Sequence, residues 1–457
     1  MPALLASNPS SEGIDVVDDA SAFEVNVEAA SIKTEREQEE SVEDFPEGGF
    51  GWWVVVASFA INFFTLGLTS TFGVYQAHFL AVHAFHNASD TSISWVGPIA
   101  SGCVFLPGPF IEPLMSVFGL KPLVFIGILA CSVAFILASF ARELWELHMT
   151  QGFLFGIGAG LCYLSTVSLA SQYFDRKRGL ANGISVAGAG IGTLVMAPLT
   201  HEMIARVGIP WCQRIVGICM FGCLMAVLPL IRPRFKLLER GSNASGHEYG
   251  AVVRRPYFDW RLLIIPRFNW LCLFAFTMAF GFLVPVFMIP PYSRFYLQQL
   301  PGTGADLLSL YAAVNAISRV LVGLVSDRVG RTNSLFICTF MCGVSCLAIW
   351  SFASTVGIMA LFVSFYGFFS GGLTSMIPAV TAQVVGVEKL PGALGIIYFA
   401  QILGYVLGSP IASTIRRSGD RHNPVGSIIW AGTAPLIASL FVLVIRFQTN
   451  RRLFAFV

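Results

Sequence analysis

Nearly uncharged apolar stretches of about twenty residues recur twelve times along this 457-residue chain, at about 52–79, 92–117, 122–141, 145–172, 180–200, 211–231, 268–292, 305–325, 333–354, 357–384, 392–415 and 427–446. A bilayer core about 30 Å thick takes roughly 20 apolar residues to cross as a helix. Within lipid the backbone must satisfy its own hydrogen bonds, and a continuous apolar run does so only as an α-helix. Charged residues make up 12% of the chain, against about 25% in soluble domains, too few to cover a water-facing surface at this length. The expected fold is an all-α membrane protein of twelve transmembrane helices.

The placement of charge predicts topology. Residues 1–50 hold 13 of the 26 acidic residues and only two basic ones, Lys33 and Arg36. Runs such as 35–40, with few aromatics and no apolar period, predict a disordered acidic tail, and no basic start followed by an apolar core marks a signal peptide. With the N-terminus inside, the tails and loops on that side carry 20 of the 28 Lys and Arg residues and the external loops six; Arg214 and Arg319 lie in spans. This is the positive-inside pattern, and an odd number of missed helices would scramble it. The most basic interruption, 232–267, falls between the sixth and seventh spans. The organisation is therefore an acidic cytoplasmic tail (1–50), a six-helix half (51–231), a cytoplasmic linker (232–267), a second six-helix half (268–446) and a short cytoplasmic C-terminal tail (447–457). Asn87-Ala-Ser, in the first external loop, is a candidate glycosylation site; Asn243-Ala-Ser falls on the cytoplasmic side. The halves look like repeats: Gly183, Gly192 and Pro198 in span five match Gly395, Gly404 and Pro410 in span eleven at the same offsets. Parallel repeats of this kind enclose a substrate site between the halves.

No Walker loop, zinc-spaced His/Cys set or nucleophile paired with a base occurs, so neither an enzyme nor an ATP-driven pump is expected, and no cofactor or metal. Cys338, Cys342 and Cys346 share one helix face, where buried cysteines act as small hydrophobes. Arg319 lies six or seven residues inside span eight, roughly 10 Å deep at 1.5 Å per residue. A charge at a helix centre costs on the order of 2.5–3.5 kcal/mol, which argues for a polar cavity beside it, with snorkelling to the interface as the alternative. A guanidinium suits bidentate recognition of a carboxylate. Further candidates for the cavity wall are Asn62 and Ser70 in span one, Asn182 in span five, Tyr311 and Asn315 in span eight, Tyr366 in span ten, and Tyr398 and Gln401 in span eleven; each could instead serve helix packing.

The strongest motif is Gly323-Leu-Val-Ser-Asp327-Arg328-Val-Gly330-Arg331, between spans eight and nine. It resembles the G-x-x-x-D-R-x-G-R loop of the major facilitator superfamily, which implies the major facilitator fold and a role for these residues in locking one gate of an alternating-access cycle. In the first half the loop has decayed: Glu112 stands where Gly323 does and Ser116 where Asp327 does. Glu47-Gly-Gly-Phe-Gly-Trp52, the glycines of span four (Gly152, Gly156, Gly158, Gly160) and Tyr173-Phe-Asp-Arg-Lys-Arg-Gly-Leu-Ala-Asn182-Gly183 resemble signature regions of the monocarboxylate porter family, chiefly its fungal branch. The likeness runs through 46–446. It implies a secondary carrier of a small organic solute, a carboxylate or a secondary metabolite, at the plasma membrane or a vacuolar membrane, with a co-transported proton as a further partner. Animal proton-coupled members carry a Lys late in span one and an Asp four residues before the span-eight Arg; here those positions are Ser70 and Asn315, so their proton relay does not carry over. The alternative from another class is a non-transporting nutrient sensor on a transporter frame, for which the acidic tail is the only signalling segment available.

Overall fold

The computed structural model describes residues 48–82, 92–93, 95–233, 260–299, 301–387, 389–418 and 424–449. The acidic tail, most of the linker, Asn87 and the C-terminal residues lie outside the described residues, and with them the expectations placed there. No strand occurs among the described residues. The membrane helices are α1 (Phe50–Val82), α2 (Val96–Phe118), α3 (Leu120–Ala138), α4 (Leu144–Tyr173), α5 and α6 within Arg178–Leu230, α7 (Pro266–Pro290), α8 (Pro301–Val329), α9 (Arg331–Phe352), α10 (Val356–Val385), α11 (Leu390–Ser418) and α12 (Val425–Thr449).

Eleven segments are long and apolar enough to cross a membrane, and the fifth, Arg178–Leu230, runs for 53 residues. At 1.5 Å per residue that is about 80 Å, more than twice a bilayer core. Gly208, at φ 77° and ψ 166°, breaks it, a conformation that glycine adopts without steric cost. The segment is therefore long enough for two crossings, α5 before the break and α6 after it, which fits the twelve spans expected from the sequence. The loop expected over 201–210 is helical on both sides of this one glycine.

Large apolar side chains cover the outside of the bundle: Trp53, Phe110, Val117, Trp145, Ile218 and Leu440 are each more than half exposed. Such a surface is stable against acyl chains and not against water. Small residues bring the helices together inside it. A Cβ on Gly188 or Gly192 of α5 would fall under 3.0 Å from the backbone of Phe59 or Phe63 on α1, so the two helices touch backbone to backbone. The halves meet chiefly through α5 against α8 and α2 against α11. Gly119 and Gly330 occupy equivalent places, between α2 and α3 and between α8 and α9, and both have positive φ (81° and 105°). The repeat inferred from glycine and proline offsets thus extends to backbone conformation.

Candidate functional site

A cavity of about 240 Å³ lies between the halves, walled by α1, α2, α4 and α5 on one side and α7, α8, α10 and α11 on the other. Arg319 is the one charged residue among the described residues of this wall. Its Nη1 donates to the Val186 carbonyl of α5 at 2.5 Å, across the interface of the halves, while its Nε has no partner among the described residues. Tyr163, Tyr311, Tyr398 and Tyr405 share the wall with it. Phe105 stacks on Tyr398 and Tyr405 at centroid distances of 5.3 and 5.4 Å, and all three rings line the cavity. The other span arginine, Arg214, is accommodated differently: Nε donates to Ser139 Oγ at 3.0 Å and the guanidinium lies over Phe140 and Trp211. Arg319 has no such aromatic seat and faces the cavity.

Of the wall residues expected from sequence, Arg319, Asn315, Tyr311, Ser70, Tyr398 and Gln401 line the cavity. Asn315 is fixed by donating to Gly367 O and Ser370 Oγ on α10, at 3.3 and 3.0 Å. Gln401 is buried, and its Oε1 has no donor among the described residues. Asn62, Asn182 and Tyr366 do not belong to the wall. Asn62 donates to Ser58 O and Ser185 O, fastening α1 to α5. Asn182 pairs with Ser171 Oγ at 2.9 Å, and Tyr366 donates to Phe282 O at 2.7 Å. In each case a buried donor is bonded to a neighbouring helix, as burial demands, although Asn62 Oδ1 has no partner among the described residues. Sequence reasoning missed Tyr163, whose hydroxyl donates to Tyr398 OH across the halves at 2.8 Å; it sits in span four, whose glycines serve the sequence reading only as a mark of family resemblance.

The motif residues form a second locus, at one end of the α5–α8 crossing. Asp327 accepts from the backbone N–H groups of Gly179 and Leu180, at 2.8 and 3.0 Å. These are orphan donors in the first turn of α5, so a carboxylate from one half caps a helix of the other. Arg331 Nε lies 3.6 Å from Asp327, and its Nη2 donates to the Asp175 carbonyl. A Cβ on Gly323 would fall under 3.0 Å from the Gly179 carbonyl, which is why this crossing needs glycine on both helices. Gly330 supplies the positive φ between α8 and α9, and Arg328 stands exposed beside it.

The sequence profile of the Major Facilitator Superfamily matches residues 49–304 and 297–453. The chain belongs to that superfamily. Among its relatives is the agnestins efflux protein AgnL12 of Paecilomyces divaricatus, 28% identical over 86% of this chain and 87% of that protein. Monocarboxylate transporter 12 of Mus musculus is 25% identical over 88% and 86% of the two chains. The crystal structure of the human organic anion transporter MFSD10 superimposes with a TM-score of 0.65 at 13% identity, covering 88% of this chain and all of that one, a likeness of fold. This superfamily member is a multi-pass membrane transporter rather than an enzyme, and it resembles the monocarboxylate porters and their fungal relatives along most of its length.

Proposed function

We propose that this transporter moves a small organic acid, of the size of a single-ring metabolite or less, by alternating access of the two halves to the central cavity. The observation that carries the reading is Arg319: a cation on an aromatic wall that has no carboxylate among its described residues. A planar acid placed there receives a charge-assisted pair among the aromatic side chains of Phe105, Tyr398 and Tyr405. A cavity of 240 Å³ has about the liquid volume of eight waters, which suits such a molecule. The names of the relatives, one a monocarboxylate transporter and one an efflux protein for a metabolite, agree with that class. In this reading Asp327, Arg328 and Arg331, with Gly323 and Gly330, hold one gate shut. The basic end that carries them faces the cytoplasm, with both termini on that side, and the plasma membrane is the location.

The test is ligand-induced thermal stabilisation of the purified, full-length protein. Phenylpyruvate and pyruvate are expected to raise the melting temperature, and phenylpyruvamide is not. Arg319→Ala should weaken binding of the acid by roughly ten- to a hundred-fold, the worth of hydrogen bonds to a charged group. Equal stabilisation by acid and amide would remove Arg319 from the site. No stabilisation by either acid sets the small-carboxylate reading aside.

A further inference from the structure

The two crossings between the halves are equivalent by the internal repeat, yet the α2–α11 crossing lacks the aspartate that caps α5. A Cβ on Gly183 of α5 would meet the carbonyl of Arg319 on α8, and a Cβ on Gly395 of α11 would meet the carbonyl of Gly108 on α2, both under 3.0 Å. These contacts are counterparts, and they set the register. One turn towards the motif end, Gly323 of α8 corresponds to Glu112 of α2; a turn further, Asp327 corresponds to Ser116. On the partner helices, Gly179 and Leu180 correspond to Pro391 and Gly392.

Ser116 does not take the aspartate's place. It is exposed, and its Oγ donates within its own helix to Pro113 O at 2.7 Å. Nor is the receiving end the same: Pro391 has no N–H, so the paired donors offered by Gly179 and Leu180 have no full counterpart. The carboxylate that reaches the first turn of α11 belongs to Glu112. Its Oε2 lies where a Cβ on Gly392 would be, under 3.0 Å from that position, with Cδ at 3.2 Å. The side chain one turn earlier is one methylene longer, and Gly392 leaves the space for it.

We propose that Glu112 is the latch of the α2–α11 crossing, a positioning residue that holds the motif end of the bundle shut as Asp327 does at the α5–α8 crossing. The latch has moved back one turn, from the loop position at 116 into α2, and Gly392 is its seat. Leu390 and Ala393 N–H donate to backbone carbonyls and Pro391 has none, so what stabilises a carboxylate here is chiefly the dipole of α11, and separating the halves strips it of that environment. The inference rests on the reading of the bundle as a carrier whose ends open in turn.

Hydrogen–deuterium exchange on the purified, ligand-free protein tests it without a known substrate. In Glu112→Gln, segments 108–118 and 390–400 should exchange about five-fold faster, the effect of losing one helix-end charge, with the opposite ends of the same helices unchanged. Gly392→Ala, which fills the seat and leaves the acid intact, should open the same segments. Asp327→Asn should loosen the start of α5 and serves as the reference. Faster exchange there with both α2–α11 variants at the wild-type rate overturns the latch and leaves the carrier reading standing. A uniform rise along every helix makes Glu112 an ordinary stability residue and also overturns it. No change in any variant, Asp327→Asn included, overturns both the latch and the assignment of this end as a gate.

Discussion

At the scale of single residues, the two arginines that fall inside the spans read from the sequence, Arg214 and Arg319, have different surroundings. Arg214 is spent on Ser139 and two aromatic rings. Arg319 gives one N–H to Val186 and lines the cavity. That division of labour needs a guanidinium, because a fork can hold the protein with one arm and a ligand with the other, whereas an ammonium is a single point. Arg319→Lys should therefore fold and melt like the wild type but bind phenylpyruvate nearly as poorly as Arg319→Ala, as read by the same thermal titration. Wild-type binding by the lysine variant would reduce the site to a generic positive charge. Arg319 was legible in the sequence because an intramembrane charge is rare and costly. The neutral candidates were less so. Asn62 and Asn315 are the same residue type, both in mid-helix, yet only Asn315 reaches the cavity wall. Which of them does so depends on the rotational setting of each helix, and an all-round apolar helix carries no amphipathic stripe from which to read it.

Among helices, the same residue type does two jobs. Gly188 and Gly192 join α5 to α1 inside one half, while Gly179 and Gly183 join α5 to α8 across the halves. If the halves move as units, a methyl group added inside a half has no conformation that relieves it, and one added between them does. Gly192→Ala, against the Phe63 carbonyl, should lower the melting temperature through an overpacking cost of about 1–3 kcal/mol. Gly183→Ala, against the Arg319 carbonyl, should melt close to the wild type while hydrogen exchange rises at the motif end of α5 and α8. If both variants lose stability alike, the halves are not separable units. The twelve spans and this repeat were visible beforehand because bilayer thickness fixes span length and because glycine and proline offsets survive divergence. The α5–α6 connection was not: a loop was expected over 201–210, where the structure keeps helix up to one left-handed glycine, Gly208.

For the whole molecule, the wall charge constrains how transport is driven. The described wall carries one fixed cation and no acidic residue, with Ser70 and Asn315 where proton-coupled relatives are expected to hold a lysine and an aspartate. An empty carrier must occlude Arg319 with little more than the Val186 carbonyl, whereas a carrier loaded with an anion occludes a neutral pair. Desolvating an unpaired charge is the more expensive of the two, so the loaded form reorients faster. Uptake of labelled phenylpyruvate into proteoliposomes preloaded with the unlabelled acid should then exceed uptake into empty ones by about tenfold, a barrier difference of only about 1.4 kcal/mol. An inward proton gradient should not drive accumulation beyond that in protein-free vesicles. In Arg319→Ala the two uptake rates should converge, since both forms then occlude an uncharged cavity or an unpaired anion. Gradient-driven accumulation into empty vesicles, dependent on the protein, would instead place a titratable group on the transport path, and it would have to be sought off the cavity wall described here.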